Sequence, residues 1–219
     1  MKDIDISAEE YTEYLDNLLC GRKAECAGLV EELIDRGMGM YDIYLKLFQP
    51  SLYDVGLLWE QNRISVASEH LATAVTERLF SLVYPMIFRT ERVGKQAVVT
   101  CVANELHQIG AKMVADVFEL NGWDTRFLGP NTPSDDLLDL LGREEPDLLG
   151  ISLSIYFNLP QLIDLINRVR ERFPRLEIVV GGQAFQWGGV EVLYEYPGVS
   201  YLPSLRDLES LIQTESANA

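Results

Sequence analysis

Gln96-Ala97-Val98-Val99-Thr100-Cys101-Val102, followed by Ala103-Asn104-Glu105-Leu106-His107-Gln108-Ile109-Gly110, is the stretch on which the reading of this chain turns. Its first half is almost wholly apolar and of strand length. Such a strand belongs to a parallel sheet covered on both faces. Its second half is polar and closes on a glycine, as a loop leading into a helix does. Further strand-like runs follow at 125–128, 148–152, 178–180 and 199–202, separated by amphipathic stretches at 111–120, 134–141, 159–172, 190–196 and 205–212. This alternation predicts five βα units in a flavodoxin-like, doubly wound five-stranded parallel sheet, whose ligands sit at the carboxyl ends of the strands. Residues 213–219 read as a frayed polar tail.

Upstream of residues 89–95 the period is helical instead. Ser7 and Glu10 form a capping-box pattern that opens a helix towards Cys20 and Gly21. A second helix is expected over 23–36, with Leu29, Leu33 and Ile34 on its apolar face and Gly37 at its end. A third begins near Tyr41, and Pro50 should break or kink it before 52–61. A fourth has Ser65 as N-cap and runs towards Tyr84, with Val66, Leu71, Val75, Leu79 and Leu82 in register. The fold class is therefore α plus α/β. A four-helix bundle over residues 1–90 precedes a Rossmann-like domain over 95–219.

The 219 residues are 47 % apolar and 24 % charged, as in an ordinary globular protein. A net charge of −16 with scattered Lys and Arg argues against direct nucleic-acid binding. No apolar run approaches the ~18 residues of a membrane span, and the first residues lack the apolar core of a signal peptide. No membrane association and a cytoplasmic location are the expectation. Cys20, Cys26 and Cys101 have no CxxC spacing and read as reduced, mostly buried thiols.

Placed on the expected sheet, His107 follows the first strand, Ser152 and Ser154 end the third, and Gly181 and Gly182 end the fourth. All fall on the carboxyl rim. Read singly, His107 is a loop or capping histidine and Gly181-Gly182 a plain βα turn. Together they suit a large metal-bearing ligand. A neutral imidazole donates to a transition metal, and Glu105 could hold its other N–H. Gly110 would let the next helix start close to the ligand, and the Gly-Gly pair would let backbone touch it.

Glu105-x-His107-x-x-Gly110 with the serine and Gly-Gly loops resembles the cobalamin-binding domain shared by methionine synthases, corrinoid proteins and some mutases. Where that family has Asp, this chain has Glu105, and its Ser-x-Leu motif reads Ser152-Leu153-Ser154 here. The resemblance implies cobalamin bound base-off, with His107 as the lower axial ligand of cobalt and the nucleotide tail threaded past the serine and glycine loops.

In the bundle, Trp59 is followed after nine residues by Glu69-His70. This spacing resembles the helical lid of the CarH-type photoreceptors, which bind adenosylcobalamin, and residues 127–133 and 180–183 also resemble that subgroup. Outside that context, Trp59 reads as core and Glu69-His70 as a solvated first turn. The resemblance implies that Trp59, Val66, Glu69 and His70 contact the upper face of the cofactor, that light removes the adenosyl group, and that the lid responds. Those receptors carry an N-terminal DNA-binding domain. This chain starts at the bundle, so it reads as a stand-alone, non-catalytic sensor acting on a protein partner, a transcriptional regulator or signalling protein, through a light-dependent change of conformation or homo-oligomer. Glu60 replaces the histidine expected after the tryptophan, which leaves water or His70 for the photoproduct. The other readings are a corrinoid carrier of a methyltransferase system, which would prefer methylcobalamin, and an interaction module that keeps only the fold.

Overall fold

Ser7 begins the first helix as its spacing predicts. Its hydroxyl accepts from the Glu10 amide (3.2 Å) and its own amide donates to the Glu10 carboxylate (2.7 Å), closing the capping box. This is seen in a computed structural model that describes residues 4–217, divided into two compact units at Arg89/Thr90.

In the first unit, α1 (Ala8–Leu19) turns through Gly21 at φ +66° into α2 (Lys23–Asp35). The buried stripe of α2 is Cys26, Val30 and Leu33. Leu29 and Ile34, expected on that face, are only half-buried, so the stripe is rotated about the axis. The third helix does not break at Pro50. It runs from α3 (Met40–Ile43) through a π-helical turn (Tyr44–Phe48) into α4 (Gln49–Glu60). The Gln49 amide donates to the Tyr44 carbonyl five residues back. That wider turn precedes a proline that has no N–H to give and whose ring would crowd an α-helical carbonyl. α5 (Val66–Val83) starts at Ser65, whose hydroxyl accepts from the Ser68 amide at 3.1 Å. Its core face is Ala72, Val75, Thr76, Leu79, Phe80 and Val83, while Val66 and Leu71 are exposed. The expected register held at Val75 and Leu79 only.

α5 packs on α1, α2 and α4, and Tyr44, Phe48 and Phe80 form an aromatic cluster with centroids 5.0–5.8 Å apart. With the 3-10 turn behind it, the stretch Val66–Phe88 is long and apolar enough to cross a membrane by length and composition alone. The sequence reading saw no such run, because Glu69, Glu77 and Arg78 interrupt it. Those charges and its buried stripe suit the central helix of a bundle.

In the second unit all five strands are parallel, in the order β2 (Asp124–Phe127), β1 (Gln96–Cys101), β3 (Leu148–Ser152), β4 (Glu177–Gly181), β5 (Val199–Tyr201). This is the doubly wound order that the alternation predicts. One face carries α7 (Ser134–Glu144) and α8 (Leu159–Arg172), whose Leu137, Leu141, Leu162, Ile166 and Val169 bury Val98, Leu149, Ile151, Ile178 and Val180. α6 (Ile109–Leu120) packs on β1, β2 and β3 and against α10 (Leu205–Ala217). Several boundaries differ from expectation, and α7, for one, runs on to Glu144 rather than ending at 141. α9 is a single turn, Val190–Leu193, stopping short of Tyr196. α10 carries on through Gln213 to Ala217, where a frayed tail was expected; residues 218 and 219 lie outside the described residues.

Candidate functional site

Strand register decides what meets at the carboxyl rim. Cys101 lies opposite Ser152, and Ser152 opposite Gly181. The loops after β1, β3 and β4 therefore leave the sheet side by side, and they carry His107, Ser152 with Ser154, and Gly181 with Gly182.

Glu105 organises two of these loops. It is fully buried. Its Oε1 accepts from the His107 backbone amide (3.0 Å) and lies 2.6 Å from His107 Nδ1. Its Oε2 accepts from the amides of Ser154 (3.0 Å) and Ile155 (2.8 Å) and from Asn158 Nδ2 (3.4 Å). Burial alone would raise this carboxyl. The hydrogen bonds from the His107 ring, the His107 amide and the Ile155 amide outweigh burial and hold it down to about 2.

An ionised carboxylate only accepts hydrogen bonds, so Nδ1 of His107 must be the donor. In the neutral ring the lone pair then sits on Nε2, the arrangement a metal-ligating histidine needs. The His107 side chain is 59 % exposed. Its carbonyl accepts from Cys101 Sγ at 3.7 Å, and burial pushes that thiol up to about 12. Among the described residues no three His, Cys, Asp or Glu side chains are grouped to hold a bare ion. A single prepared histidine fits a metal that brings its own equatorial ligands.

Ser152 and Ser154 are half-buried at the rim, and the Ser154 amide is committed to Glu105. The glycines have reasons inside the protein. A Cβ on Gly182, at φ +120°, would stand 2.1 Å from the Leu153 carbonyl, and one on Gly181 would stand 2.9 Å from the Leu202 carbonyl. A Cβ on Gly110 would meet nothing within 4 Å. Asn104, Asn131 and Asn158, which carried no role in the sequence, tie the loops together. The sequence reading missed Leu106, Ile155, Tyr156, Phe157 and Trp187, which expose apolar surface in the rim loops, Phe157 to 89 %. The run Ile155-Tyr156-Phe157 directly after the serine pair was the available signal.

In the bundle unit, Trp59 is 48 % exposed at the end of α4 and Val66 is 51 % exposed at the start of α5. His70 Nδ1 lies 2.5 Å from Glu69 Oε2, and Glu69 Oε1 accepts from Thr73 Oγ1 at 3.0 Å. Glu69 and His70 are thus brought together.

A parallel sheet that offers one carboxylate-held histidine and an apolar rim at its carboxyl edge defines a class of domain, one that takes a large, flat, metal-bearing cofactor. The comparisons agree. Residues 95–202 match the B12 binding domain, and residues 11–84 match a second family also described as a B12 binding domain. The chain belongs to the B12 binding domain family and binds cobalamin. It is 32 % identical over 141 residues to the HTH-type transcriptional repressor CarH of Myxococcus xanthus, covering 64 % of this chain but only 46 % of that protein. It is 25 % identical over 171 residues to monomethylamine corrinoid protein 1 of Methanosarcina acetivorans, covering 74 % of this chain and 78 % of that protein. The fold superposes on the monomethylamine corrinoid protein of Methanosarcina barkeri with a TM-score of 0.82 at 15 % identity, over 95 % of this chain and 100 % of that one.

Proposed function

We propose that this protein is a non-catalytic, cytoplasmic light sensor that binds adenosylcobalamin with His107 as the lower cobalt ligand. When bound, that cofactor supplies a cobalt–carbon bond that visible light breaks. The chain's own residues do the rest. Glu105 fixes the tautomer and angle of His107. The loops at Ser152, Ser154, Gly181 and Gly182 receive the nucleotide tail, and α6, starting beside Gly110, bounds the entry. Trp59, Val66, Glu69 and His70 contact the adenosyl side. Loss of that group removes their partner and shifts a conformational or oligomeric equilibrium read by a second protein, a transcriptional or signalling regulator.

The observation that carries this reading is the bundle's exposed set: a tryptophan and a valine left half in solvent, and a Glu69–His70 pair already hydrogen-bonded. The second reading is a corrinoid carrier protein in methyl transfer, loaded as methylcobalamin. It is favoured by the 25 % identity to monomethylamine corrinoid protein 1, which extends over most of that protein's length. The deciding experiment is a visible spectrum of protein reconstituted with adenosylcobalamin in darkness and taken again after green light. A bound spectrum that changes on illumination, and binding that is lost in His107→Ala, supports the sensor. A bound spectrum that light leaves unchanged sinks it, and a spectrum that changes while the chain's hydrodynamic size and amide exchange do not favours the carrier.

A further inference from the structure

The loop after β2 carries none of the proposed cofactor-binding residues, yet it holds the histidine loop at two points. Asn131 sits in the left-handed region at φ +53°, a conformation that Asn tolerates better than other side chains do. Its Oδ1 accepts from the Asn104 amide at 2.9 Å, and its own amide donates to the Glu105 carbonyl at 3.1 Å. The remaining backbone groups of the Asn104–Glu105 dipeptide are also occupied. The Glu105 amide donates to the Val102 carbonyl (3.1 Å), and Asn158 Nδ2 donates to the Asn104 carbonyl (3.5 Å). Asn104 itself is at φ +66°. The two left-handed residues, Asn104 and Asn131, stand in different loops, and the hydrogen bonds that join them fix the direction in which the Glu105 side chain leaves the backbone. Glu105 in turn fixes His107.

We infer that Asn131 is a positioning residue for cobalt ligation: it acts through Glu105 on His107, so that three loops, those after β1, β2 and β3, aim one imidazole. The inference rests on His107 being the lower ligand, and the test separates the two. Amide hydrogen exchange is followed in the full chain without cofactor, and hydroxocobalamin affinity is measured in the presence and absence of His107. Asn131→Gly keeps the backbone turn and loses the Oδ1 acceptor; Asn131→Asp keeps both. Expected in Asn131→Gly are faster exchange at residues 104–107 and a loss of hydroxocobalamin affinity of about fivefold, the scale of one hydrogen bond. Asn131→Asp should recover most of each. In a His107→Ala background Asn131→Gly should change affinity less than about twofold, because the residue has nothing left to aim. Asn158→Ala, which removes only long hydrogen bonds, should move both readouts less in the same direction, and it serves if Asn131→Gly is unstable. Unchanged exchange at 104–107, or an equal affinity loss with and without His107, overturns the inference. If the unaltered chain fails to bind hydroxocobalamin, the ligand assignment falls, and the exchange data still decide whether Asn131 sets the loop.

Discussion

Both histidines of the chain stand with Nδ1 against a glutamate carboxylate, 2.6 Å for His107 and 2.5 Å for His70. What stands behind each pair is different. Glu105 is fully buried and accepts from two further amides and an asparagine in another loop. Glu69 is partly exposed, adjoins its histidine on one helix and has Thr73 as its other hydrogen-bond partner. The first pair is fixed by tertiary structure and the second by local helix geometry. A ligand that must be held at one angle in every state suits the first, and a contact that must be made and released suits the second.

The comparison breaks most readily at the glutamates. Glu105→Ala strands the part-buried amides of Ser154 and Ile155, and is expected to cost about 2–3 kcal/mol in urea unfolding. Glu69→Ala should cost under about 1 kcal/mol, as a partly solvated pair does. Equal losses would erase the distinction. Gly182→Ala comes next. Its Cβ would overlap the Leu153 carbonyl at positive φ, so a destabilisation of about 2–3 kcal/mol is expected, with poor cobalamin binding as a consequence. Gly110→Ala sharpens the site in the opposite sense. Nothing in the chain crowds its Cβ, so stability should hold or rise by up to about 1 kcal/mol. A loss of cobalamin affinity in that stable variant would locate the cofactor beside it, and unchanged affinity would remove Gly110 from the site. The smallest effect belongs to Glu10. Its carboxyl is lowered by hydrogen bonds from the Ser7 amide and hydroxyl, so its contribution is complete above its ordinary value and fades as pH falls below it. Glu10→Gln should flatten the acid limb of bundle stability slightly and leave the α/β unit unchanged. A change in the α/β unit would show that the effect is not confined to the cap.

The α/β unit was the more legible of the two. Short β-branched apolar runs such as Ala97-Val98-Val99 read as central parallel strands, and once five of them alternate with helices the carboxyl rim follows from topology. The Glu105-x-His107 pair was readable because it is local. The clamp behind it was not, since Asn131 and Asn158 come from other loops and a lone Asn in a loop carries no sign of its partner. The glycines at 181 and 182 were found, but their internal cause, backbone packing against Leu153 and Leu202, needs coordinates. In the bundle, caps were legible at Ser7 and Ser65. The helix faces were less so. Residues such as Leu29, Leu71 and Leu82 are apolar without being core, and Thr76 is core without being apolar.

The π-helical turn at Tyr44–Phe48 bears on insertions and deletions. Such a turn holds one residue more than the α-helix it interrupts, within nearly the same rotation, so removing one residue there leaves a continuous α-helix with its two flanks in much the same phase. A chain missing that residue would line up with this one along the whole helix except for a single gap, and Trp59 would keep its direction. In this segment, one codon can be lost or gained without changing which side chains the end of α4 presents.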